Sequence, residues 1–214
     1  MYFDDFLSLL PKIKKQSLPG ESAHSKMSPP ERRAAMQKLD WETINPRKAA
    51  VLVLFYPKDL KTHLVLIIRN SYEGVHSAQI AFPGGKVESY DTSKQATALR
   101  ETDEEIGVPL ECIEVVMPMS EVYIPPSNFL VAPFLAISRS GLTFLPDPRE
   151  VAGIIELPLE SLLDEANVMI KSIATSYANN VHVPVFDFGG KIVWGATAMM
   201  LGELKEVMNS ALEG

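Results

Sequence analysis

The sequence predicts an α/β protein in which most of the chain forms one domain. Segments dense in Val, Ile and Leu, which are typical of central strands, are interspersed with segments of helical periodicity. The 214 residues are 46% hydrophobic, which is enough to bury a sizeable core. We therefore expect residues 46–214 to form the main domain. Residues 1–45, where helical periodicity is followed by a breaker-rich stretch, should form an N-terminal helical arm.

The predicted strands are short apolar runs bounded by turn residues. They cover residues 49–55, 62–69, 112–119, 129–137, 150–157, 183–188 and 191–194. The last two flank Gly189-Gly190, which is a good two-residue signal for a hairpin. Helices are predicted at 93–106, around 158–166 and at 196–211.

The composition argues against several classes of protein. With a net charge of −7, the chain is not expected to bind nucleic acid, although a small polyanion could bind through a cation. No apolar run approaches the roughly 20 residues that span a bilayer, so we expect no membrane association. The single cysteine, Cys112, allows no internal disulfide, and the N-terminus has no apolar core of signal-peptide type. These observations predict a cytoplasmic protein.

The helix predicted at 93–106 has a start signal and a stop signal. Thr92 and Gln95 have the spacing of a capping box, and Gly107 suits the left-handed position after the last turn. Spacings of three and seven residues place Ala96, Leu99 and Ile106 on one face, which we expect to be buried.

Another face of the same helix concentrates negative charge. Glu101, Glu104 and Glu105 lie at i, i+3 and i+4, where each like-charge pair costs about 0.2–0.5 kcal/mol. Arg100 can reach Glu104, but no Lys or Arg occurs between Glu101 and Ser138. The face is therefore either a solvated acidic surface or a site for a divalent cation such as Mg²⁺, which prefers carboxylate oxygens.

The residues before the helix favour the cation site. Gly84-Gly85 follows a strand-like run, so the backbone can turn tightly and approach a ligand closely. Together with Asp91 and RETDEEIG at 100–107, this glycine pair resembles the signature of the Nudix hydrolases. Asp91 stands where the family usually has Glu, and one extra residue separates it from Arg100. We expect Asp91 to cap the helix.

The resemblance implies an α/β/α sandwich around a mixed sheet and an enzyme that hydrolyses a nucleotide diphosphate with Mg²⁺ or Mn²⁺. Glu101, Glu104 and Glu105 would be metal ligands or the base that activates water, and the Gly85 carbonyl a further ligand. Arg100 would orient the glutamates. A later acid often completes such sites; here Glu150 is the first candidate for this further metal ligand and Glu121 the second. Homodimers are common in the family.

Residues 64–85, LVLIIRNSYEGVHSAQIAFPGG, resemble the motif of the coenzyme A pyrophosphatase branch of this family. The resemblance implies substrate-binding roles for Arg69, His76, Gln79, Phe82 and Gly84 and cleavage of coenzyme A or acyl-coenzyme A to 3′,5′-ADP and (acyl-)4′-phosphopantetheine. Gly74 stands where the motif normally has a second arginine. Two alternatives remain: a Nudix hydrolase of another nucleoside diphosphate derivative such as ADP-ribose, and a non-catalytic ligand-binding Nudix domain.

Overall fold

The computed structural model describes residues 1–70, 79–173 and 181–213. Within these ranges, eight strands form one mixed sheet and three form a smaller antiparallel sheet. The large sheet contains β1 (Arg47–Lys58), β2 (Lys61–Arg69), β3 (Ile80–Ala81), β4 (Gly84–Lys86), β5 (Glu114–Pro118), β6 (Val122–Ile124), β7 (Phe129–Ile137) and β8 (Val151–Pro158). The small sheet contains β9 (Val168–Ile173), β10 (Val181–Phe188) and β11 (Lys191–Val193). The helices are α1 (Phe3–Ile13), α2 (Glu21–His24), α3 (Pro30–Gln37), α4 (Lys94–Ile106), α5 (Leu159–Leu163) and α6 (Gly195–Glu213).

Strand β1 is central to the large sheet. It runs parallel to β7 and antiparallel to β2 and β4. In the pairing with β4, Gly84 lies opposite Val51 and Gly85 opposite Ala50. The outer strand β8 pairs with β2, and this pairing ends with Arg69 opposite Val151. The sheet therefore brings the glycine pair, the end of β2 and the start of β8 into one region.

Side chains on β1 alternate between the two faces of the sheet, because successive residues of a strand point to opposite sides. Val53 and Phe55 belong to the core cluster that also contains buried residues of α1 and α6. Leu52 and Leu54 belong to a second cluster, which contains Ala98 and Ile106 from α4. Helices cover both faces of a mixed sheet, so the predicted α/β/α sandwich is confirmed.

The longer predicted strands and helices are confirmed with small shifts at their ends. The hairpin signal is confirmed as well, since Gly189 and Gly190 connect β10 to β11 and Phe188 pairs with Lys191. The strand-like run before Gly84 contains β3. Three strands were missed: β4 and β6 have only three residues each, and the side chains of β9 are mostly exposed or half-buried. The predicted helix around 158–166 is shorter, because α5 ends at Leu163 and a 3₁₀ turn follows.

The N-terminal helix α1 packs directly onto the large sheet. Its buried side chains are Phe3, Phe6, Leu10 and Ile13, and the ring centroid of Phe6 lies 4.7 Å from that of Phe55. The buried carboxylate of Glu203 on α6 accepts hydrogen bonds from the backbone N–H groups of Gly20 and Ser120. Residues 1–45 are thus packed against the rest of the protein. That they form an arm separate from a main domain of residues 46–214 stays a prediction. None of the helices described is long and apolar enough to cross a membrane.

Candidate functional site

The helix α4, which carries the acidic face, begins at Lys94 and ends at Ile106. Its N-cap is Ser93, whose hydroxyl accepts a hydrogen bond from the backbone N–H of Ala96 at 3.1 Å, so the capping box predicted from Thr92 and Gln95 is wrong. Gly107 follows the helix with a φ of 67°, as predicted for the stop signal. Ser93 and Gly107 thus mark where the helix begins and ends.

The buried face of α4 differs from the predicted one. Ala96 and Leu99 are only partly buried. The fully buried side chains are Thr97, Ala98, Thr102, Glu105 and Ile106. The threonines can be buried because their hydroxyls have partners; Thr102 Oγ1, for example, donates to the Ala98 carbonyl at 2.7 Å. One member of the acidic cluster, Glu105, therefore points into the protein.

Gly84 brings the main chain close to both the sheet and the acidic helix. A β-carbon at this position would lie 2.3 Å from the Ala50 carbonyl oxygen, and the φ of 148° is one that other residues rarely adopt. Its N–H donates to Glu105 Oε2 at 2.8 Å. The next residue, Gly85, lies against the Glu101 carboxylate. The glycine pair thus lies directly beside two of the three glutamates.

Glu105 is a buried carboxylate with an incompletely satisfied oxygen. Its side chain is 1% exposed, and Oε1 lies 3.2 Å from Arg69 Nη1. Across the residues that are described, Oε1 has no hydrogen bond of acceptable geometry. Burial raises the pKa of Glu105 to about 7, against the opposing effects of Arg69 and the Gly84 N–H. Such an oxygen is suited to a cation or a proton.

Arg100 connects the other acids of the cluster. Its Nη1 donates to Glu101 at 2.8 Å and to Glu104 at 2.7 Å. Its Nε and Nη2 donate to the two oxygens of Asp91 at 2.9 and 3.0 Å. The guanidinium group is therefore held by three carboxylates, and it fixes where two of the glutamates point.

Asp91 does not cap α4, so the expectation from the sequence is wrong. Its carboxylate is buried and accepts hydrogen bonds from Arg100, from Thr97 Oγ1 at 2.8 Å and from the Glu88 N–H at 2.9 Å. The bonds from Arg100 hold the pKa of Asp91 well below its ordinary value. The added residue places Asp91 before the cap, where it positions Arg100.

The charge of the cluster is only partly balanced. Arg100 contacts three of its carboxylates and Arg69, from β2, contacts a fourth. No sequence pattern indicates the contact from Arg69, because Arg69 and Glu105 lie in distant segments of the chain. Glu150 adds a fifth carboxylate, whose charge raises the pKa of Glu101 and Glu105.

The structure distinguishes the two acids that could complete the site. Glu150 precedes β8, and its backbone carbonyl accepts a hydrogen bond from the Asn70 N–H at the end of β2. Burial is the main cause that raises the pKa of Glu101, and the charges of Glu104 and Glu150 raise it further. Glu121 instead forms an ion pair with Lys94. Glu150 is thus electrostatically coupled to the cluster, which favours it over Glu121.

The donor atoms fit a hard divalent cation. Carboxylate oxygens, a backbone carbonyl at Gly85 and the unsatisfied Oε1 of Glu105 are the ligand types that Mg²⁺ and Mn²⁺ prefer. In residues 1–70, 79–173 and 181–213, however, no three His, Cys, Asp or Glu side chains are grouped ready to hold a metal ion. Glu101 and Glu104 are turned towards Arg100 instead, so a cation would have to compete with the guanidinium group for them.

A cleft of about 1760 Å³ opens beside the glycine pair. Four residues expected to bind substrate line it: Arg69, Gln79, Phe82 and Gly84. Phe82 is only 1% exposed and belongs to the core, so it forms part of the cleft floor. His76 lies outside the residues that the structure describes.

The family assignment follows from comparison with known proteins. A family model described as the NUDIX domain matches residues 46–175. The chain belongs to the Nudix family. It is therefore a Nudix hydrolase, an enzyme that acts on the diphosphate bond of a nucleoside diphosphate derivative.

Curated relatives support this assignment across most of the chain. The Nudix hydrolase NudL of Yersinia enterocolitica is 31% identical over 165 residues, which cover 77% of this chain and 83% of that protein. NudL of an Enterobacter strain is 32% identical over 170 residues, covering 78% and 85%. Nudix hydrolase 22 of Arabidopsis thaliana, a chloroplastic protein, is 32% identical over 164 residues, covering 73% and 53%.

Solved structures agree with the fold. The Nudix hydrolase RenU from M. smegmatis has a TM-score of 0.53 at 17% identity, covering 77% of this chain and 87% of its own. A MutT/nudix family protein from Enterococcus faecalis has a TM-score of 0.52 at 16% identity, covering 93% and 76%. At these identities the likeness shows the Nudix fold alone.

Proposed function

We propose that this Nudix hydrolase cleaves the diphosphate of coenzyme A or acyl-coenzyme A. Water adds to one phosphorus, the bridging oxygen leaves with the other phosphate, and the products are 3′,5′-ADP and 4′-phosphopantetheine or its acyl derivative. The observation that carries this proposal is the cleft beside the glycine pair. Its volume of about 1760 Å³ exceeds the roughly 300–1,000 Å³ of ordinary small-ligand pockets, as a nucleotide with a long arm requires.

The lining of the cleft also suits that substrate. The cleft is lined mainly by apolar side chains, which match a pantetheine arm or an acyl chain better than they match a second sugar. They include Met27, Val51, Ile68, Ile80, Ile124, Phe129, Val131, Ile170, Ile173, Val181, Val183, Ile192, Met199 and Met200. ADP-ribose, the rival substrate, would leave much of this surface in contact with water.

Nudix hydrolases generally use divalent metal cations, and we propose Mg²⁺ or Mn²⁺ here. Glu101, Glu104, Glu105 and the Gly85 carbonyl would hold the cation, with Glu150 as a further ligand. When bound, such a cation neutralises and orients a diphosphate and acidifies a coordinated water. Any of the three helix glutamates that is not a ligand would accept the proton of the attacking water.

Arg100 and Arg69 would act on the glutamates rather than on the substrate. Arg100 is held by Asp91 and contacts Glu101 and Glu104, so it would keep the two carboxylates near their working positions. Arg69 is paired with Glu105 and lies 3.4 Å from the Gly84 carbonyl oxygen. All three helix glutamates are present, which argues against a non-catalytic binding domain.

The test is a comparison of kcat/KM for coenzyme A, 3′-dephospho-coenzyme A and ADP-ribose, each with saturating Mg²⁺ and then Mn²⁺. We expect coenzyme A to give the highest value, with 3′,5′-ADP and 4′-phosphopantetheine as products by mass spectrometry. Equal or higher values for ADP-ribose would contradict the coenzyme A proposal and leave the family assignment intact.

A further inference from the structure

The wall of the cleft opposite the large sheet comes from segments that lie far apart in sequence. It contains residues 25–33 of the N-terminal region, strands β10 and β11 of the small sheet and the start of α6. β11 packs beside β3, the short strand that leads into the glycine pair. This wall therefore lies close to the diphosphate end of the cleft.

More basic than acidic side chains line the cleft, although the protein as a whole is acidic. The whole chain has 27 acidic and 20 basic residues. Among the described residues that line the cleft, the acidic side chain is Glu31, whereas six are basic: Lys26, Arg32, Arg33, Arg69, Lys86 and Lys191. A local excess of cations on an acidic protein indicates a ligand with more negative charge than a metal-bound diphosphate alone.

Four of the six cations already have partners. Lys26 is paired with Glu206, Arg69 with Glu105 and Lys86 with Glu88, and Arg32 donates to the Tyr123 carbonyl at 2.8 Å. Arg33 and Lys191 are exposed and form no ion pair or side-chain hydrogen bond within the described ranges. Arg69, which the sequence analysis assigned to substrate binding, is thus already paired with Glu105. The two free cations are on the opposite wall.

Trp194 follows β11 and also lines the cleft. Its side chain is half-buried, and none of the aromatic or cationic groups described packs against its ring. A partly exposed indole beside free cations is suited to stacking on a nucleotide base, because every base has a flat π-face.

We propose that this wall binds the adenosine 3′-phosphate end of the substrate, with Lys191 and Arg33 contacting the 3′-phosphate and Trp194 stacking on the adenine. The inference rests on the proposed function, since it assigns the part of coenzyme A that distinguishes it from plain ADP derivatives. Lys191 and Arg33 would also supply the positive charge that a second arginine would bring to the motif, where this chain has Gly74.

The first experiment measures binding without turnover. The chain has two tryptophans, so Trp41→Phe leaves Trp194 as the sole indole; Trp41 lies outside the cleft, edge-on to Tyr123. In EDTA, 3′,5′-ADP should quench the fluorescence of Trp194 and bind at least about tenfold more tightly than 5′-AMP, as expected for charge-assisted contacts. No quenching, or equal dissociation constants for the two nucleotides, would overturn the inference.

Charge variants in the Trp41→Phe background identify the contacts. Lys191→Ala and Arg33→Ala should each weaken 3′,5′-ADP binding by roughly three- to tenfold, a range set by exposed charged groups, and leave 5′-AMP binding unchanged. Lys12→Ala removes an exposed lysine of α1 outside the cleft and should change neither. If the two cleft variants behave like Lys12→Ala, the assignment of the 3′-phosphate is wrong.

The same variants are then assayed for hydrolysis of coenzyme A and 3′-dephospho-coenzyme A with Mg²⁺. The preference for coenzyme A should fall in Lys191→Ala and Arg33→Ala through a higher KM, with kcat nearly unchanged. If the wild type cleaves coenzyme A with a preference that neither variant alters, this inference fails alone. If the wild type does not cleave coenzyme A, the proposed function fails and the inference fails with it.

Discussion

Gly85 and Glu101 are in such close contact that no β-carbon fits between them. A carbon added to Gly85 would lie 2.3 Å from Glu101 Oε2 and 2.4 Å from its carboxyl carbon. Gly85→Ala must therefore displace the Glu101 carboxylate. Because a shift of about 1 Å at a reacting group can cost on the order of a hundredfold in rate, we expect kcat to fall by at least about tenfold.

The control for Gly85→Ala is Gly141→Ala, since a β-carbon at Gly141 would only approach the Pro57 carbonyl oxygen to 3.4 Å. Both variants should unfold near the wild-type urea concentration, because the far end of Glu101 can move. Steady-state kinetics and urea titrations would be measured on both. Wild-type kcat in Gly85→Ala would show that the position of Glu101 is unimportant.

The acidic face of α4 is expected to carry the catalysis. Glu104→Gln and Glu105→Gln should each lower kcat by about a hundredfold or more, which is the usual effect of removing a major electrostatic element. Excess EDTA should abolish activity, and added Mg²⁺ or Mn²⁺ should restore it. Asp103→Asn is the matched control, because Asp103 lies on the same helix with its side chain exposed. Activity that persists in EDTA or in both Gln variants would contradict the assignment.

Asp91 is expected to matter for both stability and turnover. Asp91→Ala removes a buried carboxylate that holds two nitrogens of Arg100, so the free energy of unfolding should fall by about 2–3 kcal/mol. The freed Arg100 would no longer orient Glu101 and Glu104, and kcat should fall as well. The contrast is Ser93→Ala, which removes the true cap and should cost about 1 kcal/mol with kcat unchanged. If Asp91→Ala and Ser93→Ala have the same stability and the same kcat, Asp91 does not orient the catalytic glutamates through Arg100.

Local features of the fold could be predicted from sequence. The strand β7, for example, is a run of apolar residues whose predicted bounds, 129–137, match the structure. The glycine pair and the acidic face of α4 also lie within short sequence windows. Such features depend on neighbouring residues, so they are visible before any tertiary structure is known.

Contacts between distant segments could not be predicted in the same way. The pairing of Arg69 with Glu105 depends on β2 and α4 meeting at the glycine loop. The role of Asp91 was misjudged because its proximity to the helix start suggested a cap, whereas its partner Arg100 lies nine residues further on. Likewise, the apolar period favoured Ala96 and Leu99, but tertiary packing buries Thr97 and Thr102. The Arg69–Glu105 pair, the role of Asp91 and the buried face of α4 all depend on side chains that meet only in the folded protein.

The carboxylate of Glu203 links the N-terminal region to the rest of the protein. It is fully buried on α6 and accepts hydrogen bonds from the N–H groups of Gly20 at 3.0 Å and Ser120 at 3.1 Å. His24, the titratable group that faces it, has Nε2 3.7 Å from Glu203 Oε2. Burial alone would raise the pKa of Glu203, but His24 and Ser120 outweigh it and hold the pKa below the ordinary value of 4.5.

Because the pKa of Glu203 is lower in the folded than in the unfolded protein, its contribution to stability is complete above about pH 4.5 and is lost as the pH falls below that value. Glu203→Gln should lower the free energy of unfolding at pH 7 by about 2 kcal/mol, since bonds from two N–H groups to a charged acceptor are weakened. The difference from wild type should shrink as the pH approaches 3. Glu206→Gln, on the same helix and paired with the exposed Lys26, should cost less than about 1 kcal/mol. Urea titrations of the three proteins between pH 3 and 7 test this, and a difference between Glu203→Gln and wild type that grows towards low pH would show that the carboxylate is not the stabilising form.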